Sequence, residues 1–310
     1  MSSPRNPPLS SPPPGLPASA RPARTAGGDS VPALDSGRDF VFTVADFARI
    51  RDMIYQRAGI ALAEHKREMV YSRLARRMRA LGLMRFSDYL DRLEAERDSG
   101  EWEAFTNALT TNLTSFFREA HHFPLLAEFA RSRARPLSIW CCASSTGEEP
   151  YSIAMTLLDA LGPRAQASVL ATDVDTQVLA RGAAGTYAAE QGGKLPPEYL
   201  RRFFLRGTGA NAGKIKVRPE VAALVSFAQL NLLAPQWPAQ GPYDAIFCRN
   251  VMIYFDKTTQ RRILERFAPL LKPGGLLFAG HSENFTYVTQ QFHLRGQTVY
   301  ELARAEERAP

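Results

Sequence analysis

The sequence predicts an α/β protein with a doubly wound, mostly parallel sheet, an N-terminal all-α domain and a small inserted antiparallel β-subdomain. Three observations predict this fold. Helical periodicity dominates residues 39–116, short apolar strands alternate with helices after Arg135, and residues 195–219 interrupt that alternation. With 310 residues, 45% of them hydrophobic, the chain suits one or two globular domains.

Residues 1–38 form a tail rich in Pro, Ser and Ala, which we expect to be disordered because little apolar surface offsets its chain entropy. The tail lacks the apolar stretch of a secretory signal. No apolar run in the chain approaches the ~20 residues of a membrane span. We therefore expect a cytoplasmic protein without membrane insertion.

The cysteines and histidines do not predict a disulfide framework or a metal site. Cys141, Cys142 and Cys248 lie in apolar, strand-like runs without C-x-x-C spacing, so we expect buried thiols in a reducing compartment. His121 and His122 are adjacent, and neighbouring helical positions point ~100° apart, which makes a poor chelate. We predict no bound metal.

Residues 39–116 have the pattern of a small helical domain with its own apolar faces. Thr43 is a candidate cap for the first helix and Gly59 its stop. A later helix is predicted to begin at Ser87. The second helix places four apolar residues on one face: Val70, Leu74, Met78 and Leu81.

Positive charge is concentrated on this second helix. Residues 65–85 hold seven Lys or Arg and one Glu, a net charge of +6, against +7 for the whole chain. Arg73, Arg76 and Arg79 form a ridge nearly opposite the apolar face, and Arg77 lies beside it. Such a ridge is either a solvated helix face or a docking surface for carboxylates, which arginine pairs bidentately. No aromatic-rich basic groove accompanies it, so we predict no nucleic-acid partner.

Polar residues follow the predicted strands at the edge where an open parallel sheet binds ligands. Residues 137–142 form the first strand, and a turn over residues 144–149 follows it. Gly147 lets the backbone turn tightly beside a ligand, while the carboxylates of Glu148 and Glu149 favour a cationic ligand over a phosphate. The alternative is that Glu148 and Glu149 bind no ligand, because acids at a helix N-terminus are stabilised by the helix dipole alone.

Three further strand ends strengthen the prediction of a nucleoside site. Asp173 closes the second strand, where a carboxylate can accept both ribose hydroxyls, although it could instead cap the next helix. Asn231 follows the third strand and is a candidate for the adenine edge, and Arg249-Asn250 ends the fourth. Together with the acidic turn, these positions predict a nucleoside cofactor of positive charge. S-adenosylmethionine fits, because its sulfonium and amino groups are both cationic.

Five motifs give the chain a specific resemblance. They are TNLTSFFR at 111–118, STGEEPYS at 145–152, FCRNVMIYF at 247–255, LKPGG at 271–275 and GHSEN at 280–284. In these motifs, and across about residues 40–303, the chain resembles the CheR-type chemotaxis receptor methyltransferases. The resemblance implies a Rossmann-like, S-adenosylmethionine-dependent methyltransferase domain at 117–310. It also implies methyl transfer to glutamate side chains on the cytoplasmic helices of chemoreceptors, with S-adenosyl-L-homocysteine as the product.

The resemblance also implies roles for particular residues. Tyr254 matches a tyrosine beside the reacting methyl group, and Arg73–Arg79 matches the receptor-binding helix. The insertion at 195–219 matches a subdomain that in some members captures the receptor's C-terminal tail peptide, with a loop like Gly207–Gly209. The alternative is that the insertion has no role in recognition. The implied cofactor contacts are Asn112, Thr114, Arg118, Glu149, Asp173, Asn231, Leu232, Arg249 and Asn250.

The implied chemistry needs no general base, because a glutamate with a reference pKa of ~4.3 is ionised at neutral pH. Catalysis then depends on in-line positioning and on desolvation of the carboxylate. Arg118 and Tyr254 are the candidate catalytic residues, and each has an alternative structural role. Two other functions stay open: a non-catalytic S-adenosylmethionine- or receptor-binding signalling module, and a methyltransferase for a nucleic acid or small molecule.

Overall fold

The computed structural model describes residues 39–96 and 99–303. The predicted tail, residues 1–38, lies outside the described residues, so its disorder stays a prediction. The described chain forms a helical domain followed by an α/β domain, as the sequence predicts. Within these ranges, no helix is both long and apolar enough to cross a membrane.

The helical domain packs its apolar faces into one core. Its helices are α1 Val44–Ala58, α2 Arg67–Leu81, α3 Phe86–Ala95 and α4 Gly100–Leu109. Thr43 begins α1 with a capping box, in which its hydroxyl accepts the Asp46 N–H and the Asp46 carboxylate accepts the Thr43 N–H. Gly59 ends α1 in the left-handed conformation, at φ 70°. Helix α3 begins at Phe86, one residue before the predicted Ser87.

The α/β domain has a seven-stranded sheet and a separate three-stranded sheet. Its helices are α5 His122–Ser132, α6 Glu148–Leu161, α7 Thr176–Ala184, α8 Pro197–Phe203, α9 Pro219–Ala222 and α10 Lys257–Phe267. Its strands are β1 Leu137–Cys141, β2 Ala167–Asp173, β3 Thr186–Ala188, β4 Phe204–Arg206, β5 Lys214–Val217, β6 Val225–Gln229, β7 Tyr243–Cys248, β8 Leu271–Ala279, β9 Phe292–Gly296 and β10 Val299–Leu302.

The large sheet has the strand order β6-β2-β1-β7-β8-β10-β9. The first five strands are parallel, and β10 runs antiparallel to both of its neighbours. Alternating side chains enter two cores: Ile139 and Phe247 on one face, Trp140 and Ile246 on the other. The chain order reverses at β1, which lies between β2 and β7. A crevice therefore opens at the carboxyl ends of β1 and β7.

The inserted β-subdomain is larger than the sequence suggests. Its sheet has the order β3-β5-β4, so it begins at Thr186 and not at the predicted Leu195. The antiparallel hairpin predicted around 214–217 is confirmed, since β5 pairs with β4 through the 207–213 loop. Strand β3 was missed because three residues give too short a pattern to predict.

The C-terminal strands also differ from the prediction. Helix α10 ends at Phe267, and β8 begins at Leu271, so the Lys-Pro-Gly-Gly segment at 272–275 lies within the strand. The last strand begins at Val299 and not at Gln297, which lies in a turn after β9. Cys141, Cys142 and Cys248 are buried free thiols, as predicted.

Candidate active site

A cavity of about 350 Å³ lies between the carboxyl edge of the large sheet and the helical domain. The strand ends of β1, β2 and β7 contribute its floor. The segment after α1, including Ile60, Leu62, Lys66 and Met69, contributes the opposite wall. The predicted site residues that line the cavity are Asn112, Thr114, Arg118, Glu149, Asp173, Asn231, Leu232, Arg249, Asn250 and Tyr254.

Asp173 lies at the end of β2, where the sequence predicted it. One carboxylate oxygen accepts the Ser145 N–H at 2.8 Å and the other accepts the Asp175 N–H at 3.0 Å. Asp175, and not Asp173, caps α7 by accepting the N–H groups of its first turn. Burial raises the pKa of Asp173 to about 6, although the backbone N–H groups oppose the rise. The helix-capping alternative is therefore wrong, and the Asp173 carboxylate borders the cavity.

Arg249 is fully buried between two carboxylates. Its guanidinium contacts Glu149 at 2.5 Å and Glu119 at 3.1 Å, and it donates to the Arg118 carbonyl. Two carboxylates and one guanidinium leave this cluster with one net negative charge, which suits a cationic ligand. Arg249 was predicted as a cofactor contact, and the structure shows that its hydrogen bonds go to the protein.

Glu119, which sequence reasoning missed, does not line the cavity itself but contacts Arg249 and Asn250, which do. Besides Arg249, its carboxylate accepts hydrogen bonds from the Asn250 side chain and from the backbone and ring of His281. Burial alone would raise the pKa of Glu119, but Arg249, His281 and Asn250 together lower it to about 2. No local pattern distinguishes this acid, because its partners lie more than 100 residues away in the chain.

Gly147 and Glu148 are not among the residues that line the cavity, and the contacts described for both are with the protein. Gly147 has φ 99°, and a Cβ there would lie 2.8 Å from the Tyr187 hydroxyl and 2.9 Å from the Gly182 Cα. Glu148 accepts hydrogen bonds from Thr146 and from the Gln191 side chain of the β-subdomain. Of the two acids in the turn, Glu149 alone faces the site.

Gly147→Ala is expected to lower the free energy of unfolding by about 1–3 kcal/mol, because the new Cβ adds a clash to an unfavourable positive φ. Gly82→Ala is the matched control, since Gly82 also has a positive φ, 66°, with ψ near that of Gly147, but no atom within 4 Å of the added Cβ. Urea denaturation of both variants measures the difference. Equal losses would show that the close approach at Gly147 contributes nothing.

All three asparagines predicted as cofactor contacts make hydrogen bonds within the protein, Asn250 to Glu119 as described above. Asn112 donates to Asp175 at 2.9 Å. Asn231 was predicted to bind the adenine edge, but its amide nitrogen donates to the Arg57 carbonyl at 2.6 Å and its oxygen accepts the Leu233 N–H. Asn231 therefore joins the end of β6 to the helical domain, and it lines the cavity with one N–H and one oxygen lone pair of its amide already used.

Arg118 and Tyr254, the candidate catalytic residues, both border the cavity. The Arg118 guanidinium donates to the Leu113 carbonyl at 2.7 Å. Tyr254 ends a short 3₁₀ turn after β7, and its carbonyl accepts the Ala61 N–H at 3.1 Å. Its hydroxyl has no hydrogen-bond partner among residues 39–96 and 99–303, so it is free to meet a ligand.

The arginine ridge on α2 is less open than its periodicity predicts. Arg73 donates to the backbone carbonyls that end α4, and Arg77 forms two hydrogen bonds with Glu101. Arg79 pairs with a carboxylate outside α2. Arg76 is exposed and makes no ion pair within the described part of the chain. The ridge therefore offers one unengaged guanidinium and three that also serve the domain's own structure.

The reason given against a metal at His121 and His122 does not hold in the structure. His121 precedes α5, and the two rings lie 4.2 Å apart, so they do not diverge as successive helical positions would. Their nitrogens and the Glu119 carboxylate lie within 4.8 Å of one another. Because Glu119 already accepts bonds from Arg249 and His281, we assign no metal to this group.

Two family profiles, together with the fold, define the class of the protein, which is an S-adenosylmethionine-dependent methyltransferase. Residues 112–301 match the profile of the CheR methyltransferase, SAM binding domain, and residues 45–110 match that of the CheR methyltransferase, all-alpha domain. The chain therefore belongs to the CheR methyltransferase family. The boundary between the two profiles falls at about residue 111, close to the predicted 116.

Curated relatives agree with this assignment. The chain is 64% identical over 261 residues to the chemotaxis protein methyltransferase of Klebsiella aerogenes, covering 84% of this chain and 90% of the relative. It is 60% identical to that of Escherichia coli K12, covering 84% and 91%. It is 53% identical to chemotaxis protein methyltransferase 2 of Pseudomonas aeruginosa, covering 86% and 96%.

Proposed function

We propose that this protein is a protein-glutamate O-methyltransferase that esterifies glutamate side chains on the cytoplasmic helices of chemoreceptors, and that it acts in the cytoplasm. The observation that carries the proposal is the cavity, which is bordered by the buried Asp173 carboxylate, by Glu149 and Arg249 of the net negative cluster, and by a tyrosine whose hydroxyl has no partner among the described residues. The chemoreceptor as acceptor is supported by the relatives, which are chemotaxis protein methyltransferases. A non-catalytic signalling module is not favoured, because the candidate catalytic and cofactor residues are all present.

The residues that border the cavity fit S-adenosylmethionine. Asp173 would accept the ribose hydroxyls, since each of its oxygens has one lone pair left after its backbone hydrogen bond. Leu230, Leu232 and Val174 supply apolar surface beside it for a flat base. Glu149 and Glu119 balance positive charge. When bound, S-adenosylmethionine supplies an electrophilic methyl group and leaves as S-adenosyl-L-homocysteine.

The protein's part in the reaction is positioning and desolvation. An acceptor glutamate arrives ionised, so no residue has to remove a proton from it. The Tyr254 hydroxyl would donate a hydrogen bond to the acceptor carboxylate and hold one of its oxygens toward the cavity. The positive charge of Arg118, which borders the same cavity, would attract the acceptor carboxylate. Ile60, Leu62 and Met69 on the opposite wall, beside Lys66, would shield the reacting groups from water, which would strengthen these interactions.

We also propose that the inserted β-subdomain binds a receptor tail peptide. Its edge strand β4 leaves one row of backbone groups free for an added strand. Arg206, Lys214 and Lys216 line a groove on this sheet together with residues of the 207–213 loop. Their charge is complementary to an acidic peptide or a C-terminal carboxylate.

The proposed activity is tested with purified protein, methyl-labelled S-adenosylmethionine and receptor-enriched membranes. We expect label on the receptor band, released by mild base as methanol, because carboxyl methyl esters hydrolyse there. Base-stable label on protein, or label in nucleic acid or a small molecule, would mean that another acceptor is used. Binding of the cofactor without any transfer would support the non-catalytic alternative.

Arg76→Glu is expected to lower kcat/KM for the receptor by about tenfold, because a charge at an acidic interface changes sign. Binding of S-adenosyl-L-homocysteine should stay unchanged, since Arg76 does not line the cavity. The control is Arg164→Glu, an exposed arginine before β2 at the opposite edge of the sheet. If both variants methylate receptor like the wild type, α2 does not recognise the acceptor.

A further inference from the structure

Glu283 is a buried carboxylate between the ends of two strands. It follows β8, and only 3% of its surface is exposed. One oxygen accepts the N–H groups of Gly280 and Asn250, at 2.6 and 2.9 Å, and the other accepts the Met252 N–H at 2.8 Å. The side chain thus joins the segment after β7 to the segment after β8.

These contacts require a carboxylate. Glu283 forms no ion pair with any residue in 39–96 or 99–303, so backbone N–H groups alone compensate its charge. Burial raises the pKa of Glu283, and these N–H groups oppose the rise. A glutamine would keep the size but bring one acceptor oxygen and an NH₂ group. That NH₂ would face an N–H donor and leave it unpaired in a buried place.

The segment that Glu283 holds is strained and closely packed. Asn250 has φ 58°, which is uncommon for a residue with a side chain. Its amide donates to Glu119 on one side. On the other side, a Cβ at Gly280 would lie 2.4 Å from that amide nitrogen. Two acids therefore hold Asn250, the buried Glu283 through the backbone N–H and the partly buried Glu119 through the side-chain amide.

We propose that Glu283 is a positioning residue for methyl transfer, whose carboxylate holds the 249–254 segment so that Asn250 and Tyr254 border the cavity. This inference rests on the proposed function, because it assigns Asn250 to the cofactor and Tyr254 to the acceptor. Glu283 itself does not line the cavity and acts only through this segment.

Glu283→Gln is expected to weaken S-adenosyl-L-homocysteine binding by about tenfold and to lower kcat by at least as much. The matched control is Asp244→Asn, which removes an equally buried acid from the other end of β7, where it accepts the Ser138 N–H and pairs with Lys272. Both variants should lower Tm. Only Glu283→Gln should change cofactor affinity and kcat, measured by calorimetric titration and by receptor methylation.

Gly280→Ala is a second variant that leaves every charge in place. Its Cβ should displace Asn250 and reproduce the loss of affinity and of kcat. If Glu283→Gln does not fold, Gly280→Ala decides the question alone. Wild-type affinity and kcat in the folded variants would overturn the positioning role, and so would losses no larger than those of Asp244→Asn. Failure of the wild type itself to bind S-adenosyl-L-homocysteine would instead overturn the proposed function.

Discussion

Asp173→Asn is expected to weaken binding of S-adenosyl-L-homocysteine by about 100-fold while leaving the protein folded. Each hydrogen bond from a ribose hydroxyl to an ionised carboxylate contributes about 1.5–3 kcal/mol, and 1.4 kcal/mol corresponds to tenfold in affinity. Asparagine keeps one of the two oxygens that accept the Ser145 and Asp175 N–H groups, whereas alanine would lose both, so asparagine disturbs the turn less than alanine would. Calorimetric titration measures the loss, with Asp244→Asn as the control for removing a buried acid.

The pH dependence gives a second check on Asp173. Burial raises the pKa of this carboxyl to about 6, so it is ionised above that pH and protonated below it. Wild-type affinity for S-adenosyl-L-homocysteine should therefore fall as pH drops below about 6. The affinity of Asp173→Asn should stay flat over the same range. Parallel profiles for the two proteins would mean that Asp173 does not bind the ribose.

Arg249→Met is expected to lower the free energy of unfolding by about 3–5 kcal/mol at pH 7. The substitution leaves the buried Glu149 and the partly buried Glu119 without their shared cation, and an uncompensated buried charge is strongly destabilising. Arg133→Met is the control. Arg133 pairs with Asp244 at a partly exposed position, where loss of an ion pair costs about 1 kcal/mol or less.

The destabilisation by Arg249→Met should depend on pH. In the wild type the pKa of Glu119 is about 2, below its unfolded value, so its ionised form stabilises the fold above pH ~4.5. That contribution is lost as pH falls from ~4.5 toward 2. The stability difference between wild type and variant should therefore shrink over this range in urea titrations. A difference that stays constant would exclude Glu119 as the group that Arg249 compensates.

The sequence predicts local structure well where its signals are local. Thr43 and Gly59 mark both ends of α1 through contacts within a few residues. Strand β7 has the predicted bounds because its six residues form an apolar run that only Asp244 interrupts. All six, Asp244 included, are buried. Asp173 was found because a strand end combined with an acid is a local pattern.

The site features that the sequence did not predict depend on distant contacts. Glu119 and Glu283 lie in loops, and both accept hydrogen bonds from Asn250 in the segment after β7, which is distant from them in the sequence. Arg73 and Arg77 follow the periodicity of an exposed face, yet α4 brings partners to them. A glycine in a tight turn was predicted to lie beside a cofactor, but the sequence pattern is the same when the turn lies beside protein. Gly147 lies against Tyr187 and Gly182.

The most direct test of the central claim is a crystal structure of the protein with S-adenosyl-L-homocysteine. We predict the nucleoside in the cavity between the sheet edge and the helical domain, with its ribose hydroxyls within hydrogen-bond distance of the Asp173 carboxylate. The sulfur should face the Tyr254 hydroxyl. A nucleoside bound elsewhere, or a ribose without contact to Asp173, would contradict the account.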